Sequence, residues 1–248
     1  MDITKVLPEE CISMIVSFTS PEDACRLSLV SPFFKEIADS DAVWENFLPS
    51  DYKDIIDQSS TPSLNLFSKK QIYSHLSVHH VLLVNGNMVR LSLKSMSLYL
   101  EKATGKKCCM VSASGIEFRI RSSGSECYFS SEESVPQSRF YQLVQIKFDY
   151  KLRVTGSNLD TKVLSPNTNY GVYFIFHLVD QDYQPRNLQW MLERAQRRED
   201  GWMEVEITDF FSGDGYNLVD FHYKLKNNDL RSYCCLIVEG VEFRPKNL

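Results

Sequence analysis

The sequence predicts an α+β multidomain fold, with a small helical unit followed by an antiparallel β-sandwich of jelly-roll type. Three observations carry this. Helix start signals crowd the first fifty residues. From Met88 onward the apolar residues recur with period two instead. The charge divides as well. Residues 1–60 hold 4 Lys/Arg against 12 Asp/Glu, a net of −8, and the remainder holds 23 against 20, a net of +3.

Leu7-Pro8 opens the first helix, whose apolar residues Cys11, Ile12, Ile15 and Val16 fall at helical spacing. Ser20-Pro21-Glu22-Asp23 starts the second. Ser20 caps, Pro21 suits the first helical position, and the two acids favour the positive helix end. Ser31-Pro32 repeats the device before Phe33-Phe34-Lys35-Glu36-Ile37-Ala38. Asp41 is placed to cap a turn carrying Val43, Trp44 and Phe47. So many short helices in so few residues make a thin core, and such a unit needs a partner or the rest of the chain.

Residues 51–63 are polar and read as an exposed loop. Ser68 caps a short helix through Leu76. Val81 to Val84 reads as an apolar strand or clasp ending at Asn85-Gly86-Asn87. Residues 51–90 hold too many apolar side chains to be a tether, so they read as a packed connector. Beyond it, Ile116 to Ile120 alternate, as do Met203 to Ile207 and Val219 to Leu225. Ile146, Phe148, Tyr150, Leu152 and Val154 read as one half-buried strand. Tyr170 to Val179 is apolar nearly throughout, as in a central strand covered on both faces. Gly240 interrupts Cys234–Phe243 and marks a bulge or bend. Asn187 to Arg198 reads as the one helical insertion. Many short strands between turn signals argue for two packed sheets.

The composition excludes several functions. Hydrophobic residues are 43% and charged residues 24%, ordinary for a globular protein, and no apolar run has membrane-spanning length. The opening Met1-Asp2-Ile3-Thr4-Lys5 lacks the apolar stretch of a secretory leader, and no Asn-x-Ser/Thr sequon occurs. A cytoplasmic or nuclear location is expected. The acidic amino-terminal unit argues against nucleic acid as its partner. The seven cysteines include Cys108-Cys109 and Cys234-Cys235, without zinc or redox spacing. Neighbours on a strand point to opposite faces, so one of each pair is expected in the core. No cofactor or metal is expected.

No constellation supports an enzyme. Ala103-Thr104-Gly105-Lys106-Lys107 fails the phosphate-loop pattern, whose first glycine falls on Leu100 and whose Ser/Thr falls on Lys107. Glu204 and Glu206 share a strand face that reads as solvated, which argues against a glycosidase pair. His79-His80 lacks partners at ligand spacing, and His177 reads as a satisfied core histidine. Trp202 reads as core. Trp190 stands between packing under a loop and contacting a ligand. Gly213-Asp214-Gly215-Tyr216 reads as a hairpin turn first and a sugar loop second.

Two resemblances add to this reading. Leu7-Pro8-Glu9-Glu10, Ile12, Ile15, Ser20-Pro21-Glu22-Asp23-Ala24, Leu27, Leu29-Val30-Ser31, Phe33-Phe34, Ala38, Trp44 and Phe47 resemble the F-box in order and spacing. The resemblance implies docking on the Skp adaptor of a cullin–RING ubiquitin ligase, through Leu7, Pro8, Ile12, Ile15, Leu29, Val30, Phe33 and Trp44. Leu98 to Cys108, Ser138-Arg139-Phe140, Leu164 to Thr168, Tyr170-Gly171-Val172-Tyr173, Asp200 to Glu206 and Val238 to Lys246 are similar to the phloem protein 2 (Nictaba-like) lectin domain. With both, the chain divides into an F-box at 1–50, the connector at 51–90 and a lectin-like sandwich at 91–248, an arrangement of plants.

The lectin resemblance implies binding of N-acetylglucosamine oligomers and high-mannose glycans on two tryptophan platforms. Ile120 stands where the first platform is expected, and Cys127-Tyr128-Phe129 lies near the second. Tyr128 is then the remaining platform, with Phe129, Trp190, Asp214 and Tyr216 as further candidates. Together the resemblances imply a non-catalytic adaptor that recruits a target protein or glycoprotein to the ligase. The alternative they leave is a lectin acting in stress or defence without degradation.

Overall fold

A computed structural model describes residues 7–83, 96–121, 126–130, 136–148, 151–179, 193–214, 217–226 and 234–246. The chain forms two compact units, residues 1–85 with 98–108, and residues 86–97 with 109–248. Among the described residues, no helix is long and apolar enough to cross a membrane.

The first unit holds helices α1 (Glu9–Ser17), α2 (Pro21–Leu27), α3 (Pro32–Asp39), α4 (Asp41–Phe47), α5 (Tyr52–Asp57) and α6 (Lys69–Val78). The serine caps are where the sequence puts them. The Ser20 and Ser31 hydroxyls accept from the backbone N–H of Asp23 and Phe34. Ser68 and Gln71 close a reciprocal capping box. Asp41 differs from expectation. It makes no cap on α4. Its carboxylate instead accepts from the Lys69 backbone N–H at 2.8 Å, a donor left open at the start of α6. A long-range partner thus outcompetes the local one.

One apolar core runs through this unit. It joins Ile12, Val16 and Trp44 to Ile56, Ile72, Leu76 and the strand residues Leu98 and Leu100. The Lys107 ammonium, 2.9 Å from Asp51, ties the returning segment down. Gly105 makes its turn possible. Its φ is +71°, and an added Cβ would lie 2.5 Å from the Phe47 carbonyl oxygen. Gly105→Ala is therefore expected to destabilise this unit by about 1–3 kcal/mol, read by urea denaturation.

The strands are β1 (Val81–Leu83), β2 (Met96–Leu100), β3 (Lys107–Ser112), β4 (Glu117–Arg121), β5 (Glu126–Ser130), β6 (Leu143–Phe148), β7 (Lys151–Asp160), β8 (Asn169–Leu178), β9 (Gln196–Arg197), β10 (Met203–Phe211), β11 (Leu218–Lys226) and β12 (Cys234–Pro245). In the second unit β12 is the axis of the larger sheet. One edge pairs with β8, and the other with β6 and then with Cys109–Ser112 of β3. β8 continues to β10 and β9, and β6 to β5. A smaller sheet runs β11-β7-β4. Phe221 of β11 meets Phe243 of β12 edge to face at 5.7 Å, so the sheets share an aromatic core. β12 runs antiparallel to β3, β6 and β8, as do β10 to β8 and β9, β5 to β6, and β7 to β4 and β11.

Residues 170–172 and 174–176 of β8 are buried, as a central strand demands. The register of β12 on β8 slips between Val238 and Gly240. A Cβ on Gly240 would collide with the Val111 carbonyl oxygen, so glycine permits the bulge.

Four expectations need correction. Residues 51–63 are not an exposed loop: Tyr52–Asp57 is α5, and Tyr52, Ile55 and Ile56 are buried at the helical spacing that their polar neighbours masked. The alternation from Ile146 to Val154 is two strands. Ile146 pairs in the larger sheet and Val154 in the smaller, and alternation alone does not show where a chain changes sheet. The insertion Asn187–Arg198 is not helical where it is described, since Gln196–Arg197 forms β9 on the edge of β10. Residues 187–192 lie outside the described residues. Cys108 and Cys109 are both buried, because every residue of β3 is covered.

Candidate functional site

Helix α1 carries two apolar rows. Ile12 and Val16 point into the core and are 3% and 2% exposed. Cys11, Met14, Ile15 and Phe18 recur at i, i+3, i+4 and i+7 and form an outward row. Met14, Ile15 and Phe18 are 62%, 52% and 82% exposed. Leu29 and Val30, in the turn after α2, are 85% and 65% exposed. Exposed apolar side chains at this density mark an interaction surface.

The eight residues predicted to bind the adaptor thus separate. Pro8, Ile15, Leu29 and Val30 are exposed. Leu7 and Phe33 are partly buried against the core. Ile12 and Trp44 lie within it. The Trp44 indole N–H donates to the Ala38 carbonyl oxygen at 2.6 Å, and its ring meets Phe47 and Tyr73 edge to face. The apolar face predicted from Cys11, Ile12, Ile15 and Val16 therefore splits between the two rows. Met14 and Phe18 are not among the predicted residues, although their spacing from Cys11 is the signal that finds them.

In the second unit, Tyr128 and Phe129 sit on β5 opposite Gln145 and Val144 of β6. Asp214 is exposed at the end of β10, beside Gly213, whose carbonyl oxygen accepts from the Asn167 N–H. Trp190 and Tyr216 lie outside the described residues. Ile120, at the first platform position, pairs in register with Leu152 of β7, which is buried. Trp202 is buried as expected, with its indole N–H on the Gln137 carbonyl oxygen. His177 is half-buried edge-on to it, and burial holds its imidazole below the usual histidine range.

The sequence did not reveal a buried ionic network around β12. Glu242 is fully buried and takes Arg198 at 2.6 Å and Arg139 at 3.3 Å. Arg198 also reaches Glu204 at 2.9 Å and Asp200 at 3.1 Å, and Arg244 reaches Glu204 at 2.7 Å. Glu239, also buried, accepts from the Arg139 backbone N–H and the Ser138 hydroxyl. Glu204 is thus a network member with a 12% exposed side chain, and only Glu206 keeps the solvated character read for both. Burial alone would raise the Glu242 carboxyl, but Arg139, Arg198 and Arg244 outweigh it and hold the group below the usual carboxylate range. Burial wins at Glu239 and pushes its carboxyl up against the pull of Arg139.

Beside the network lies an open groove of about 540 Å³ lined by Tyr173, Glu204, Glu206 and Arg244. The Arg244 guanidinium covers the Tyr173 ring at 3.8 Å, so that ring face is already occupied by a cation.

Known proteins agree with both units. The F-box domain family matches residues 6–46, and the phloem protein 2 family matches residues 106–245. F-box protein PP2-B10 of Arabidopsis thaliana is 33% identical over 97% of this chain and 93% of its own length. F-box protein At2g02240, from the same plant, is 32% identical over 97% of this chain and 79% of its own length. F-box protein SKIP3, also from that plant, is 32% identical over 98% and 88%. This chain therefore belongs to the F-box proteins that carry a phloem protein 2 domain, a helical F-box with a lectin-like β-sandwich.

Proposed function

We propose that this protein is a non-catalytic, substrate-recruiting subunit of an SCF-type cullin–RING ubiquitin ligase. Residues 1–50 dock on the Skp adaptor, 51–90 complete the helical core, and 91–248 hold the target. One observation carries the docking step. The outward row of α1, with Leu29 and Val30, is apolar, exposed and inside the segment matched by the F-box family. An interface of standard size buries about 1,600 Å² in total, with its energy concentrated in a few central apolar anchors. Phe18, Ile15 and Leu29 are those anchors. Ile12 and Trp44 act from beneath by holding α1 and α4 in place.

The test is binding of the full chain to purified Skp adaptor by calorimetry. The double variant Ile15→Asp, Phe18→Asp is expected to bind at least about 30-fold more weakly, the equivalent of a hot spot of 2 kcal/mol or more. Its melting temperature should hold, because both side chains face solvent. Unchanged affinity in the variant, or no binding by the unaltered chain, would overturn the reading.

The lectin-like unit takes the target, a protein or glycoprotein, and Tyr128 is the side chain we assign to a sugar ring. Selective binding of N-acetylglucosamine-containing glycans on an array, lost in Tyr128→Ala, is the expected result. A blank array with a folded domain would sink the glycan route and leave a protein surface as the target.

A further inference from the structure

The smaller sheet carries cations where the larger sheet carries ion pairs. In the larger sheet Arg244 meets Glu204 and Lys246 meets Glu206, base against acid across β8. In the smaller sheet the register sets Lys224 opposite Arg153, and Arg153 opposite Arg119. The next row repeats this in register, with Lys226 opposite Lys151 and Lys151 opposite Arg121. Arg119, Arg153 and Lys224 are exposed. Together with Thr155 and His222 they line a shallow depression of about 260 Å³. Their neighbours in sequence on the other face, Leu152, Val154 and Phe221, are buried, so strand alternation itself holds the cations outward.

Like charges directly opposite each other weaken a sheet. Among the described residues neither Arg153 nor Lys224 has an ion-pair partner. Arg119 alone is balanced, by Glu117 at 2.7 Å, and Glu117 lies in the third row with Thr155 and His222. The patch therefore carries the exposed cations Arg119, Arg153 and Lys224 in one row and is closed by an acid at one end. Neither the platform positions nor the apolar row of α1 accounts for it.

We propose that this face binds a phosphorylated peptide segment, with the phosphoryl group seated between Arg119, Arg153 and Lys224. Neighbouring strands lie about 4.8 Å apart, so the three cations span about 10 Å and can converge on the oxygens of one phosphate through charge-assisted bonds. The second row lies two residues further along each strand, about 6.6 Å away. An extended segment places its same-side residues at that same interval. The register positions of the second row stand at that interval, which suits a second acidic group two residues from the phosphorylated one. Charge complementarity at this short range favours a point anion on a peptide over a membrane or nucleic acid, because the three exposed cations span only about 10 Å and Glu117 closes the row, leaving no extended basic surface for an extended anion. The site rests on the target-recruiting reading only for the source of the segment. Binding itself requires no Skp adaptor.

The experiment uses the full chain and a fluorescent peptide with phosphoserine at positions i and i+2, followed by anisotropy at low and physiological salt. Its comparisons are the unphosphorylated peptide and vesicles of phosphatidylserine in phosphatidylcholine. The phosphopeptide should bind, more weakly at high salt, and the unphosphorylated peptide and vesicles should not. Arg153→Ala should weaken binding at least about tenfold, and Arg153→Glu should abolish it. Removing a repelled cation should leave the melting temperature unchanged or raise it, so loss of binding is not loss of fold. Binding of Skp adaptor should be the same in all variants, which separates failure here from failure of the adaptor reading. No phosphopeptide binding, equal binding of the unphosphorylated peptide, indifference to Arg153, or preference for the vesicles would each overturn the proposal.

Discussion

Glu242→Ala is expected to destabilise the β-sandwich by about 3 kcal/mol, the low end of what breaking a buried ionic network costs. The carboxylate is buried on β12 and takes Arg198 at 2.6 Å and Arg139 at 3.3 Å. Its removal leaves these guanidinium groups out of water with less compensation. The loss stops at the low end because Asp200, Glu204 and Glu239 still face them. Arg198→Met should cost a comparable amount, because it removes the shortest ion pair of the buried Glu242 and leaves only Arg139 and Arg244 to offset its burial. Urea denaturation followed by circular dichroism in the β region measures both. A change within about 1 kcal/mol of zero for Glu242→Ala would mean that the network adds no stability.

The same network sets a dependence on pH. The Glu242 carboxyl is held below its ordinary value, so its contribution is complete above the unfolded value of about 4.3 and is lost as pH falls through the folded value. Glu239 runs the other way. Its folded value is raised, so the folded state takes up a proton first and gains stability as pH falls toward about 4.3. Stability is therefore expected to hold or rise slightly on mild acidification and to fall steeply below about pH 4. Glu242→Ala should flatten the steep part.

Trp44→Ala is expected to destabilise the helical unit by about 3–5 kcal/mol, as for large aromatic residues deleted from a core. Its ring is 2% exposed, lies 5.5 Å from Phe47 and 5.1 Å from Tyr73, and donates at 2.6 Å to the Ala38 carbonyl oxygen. A domain is stable by about 5–15 kcal/mol in all, so much of this unit's margin goes with one side chain. Loss of Skp adaptor binding in this variant then accompanies loss of helical signal. In Ile15→Asp, Phe18→Asp the binding should fall while the helices stay. If Trp44→Ala bound weakly with its melting temperature intact, Trp44 would belong to the interface after all.

Local signals were legible without tertiary information. Ser20, Ser31 and Ser68 each reach a backbone N–H three residues on, an interaction within the chain's own reach. Asp41 misled for the same reason, since its chosen donor lies 28 residues away. The alternation of β10 and β11 could likewise be read, because a strand's faces repeat every second residue, and so could the continuous apolar run of β8 and the glycine bulge of β12. The family was legible from motif order.

The amino-acid sequence by itself determined the helix starts, the strand faces, the α+β class and membership of the F-box and phloem protein 2 families. Each follows from neighbours within a few residues or from the order of motifs. Only the tertiary structure decided which apolar row of α1 turns inward, because both rows have helical spacing and packing alone chooses Ile12 and Val16. It decided that one alternating run serves two sheets, and that Arg139 meets Glu239, 100 residues away. It also decided that Lys224, Arg153 and Arg119 stand side by side, because alternation fixes the face of a residue and only strand pairing fixes its neighbour.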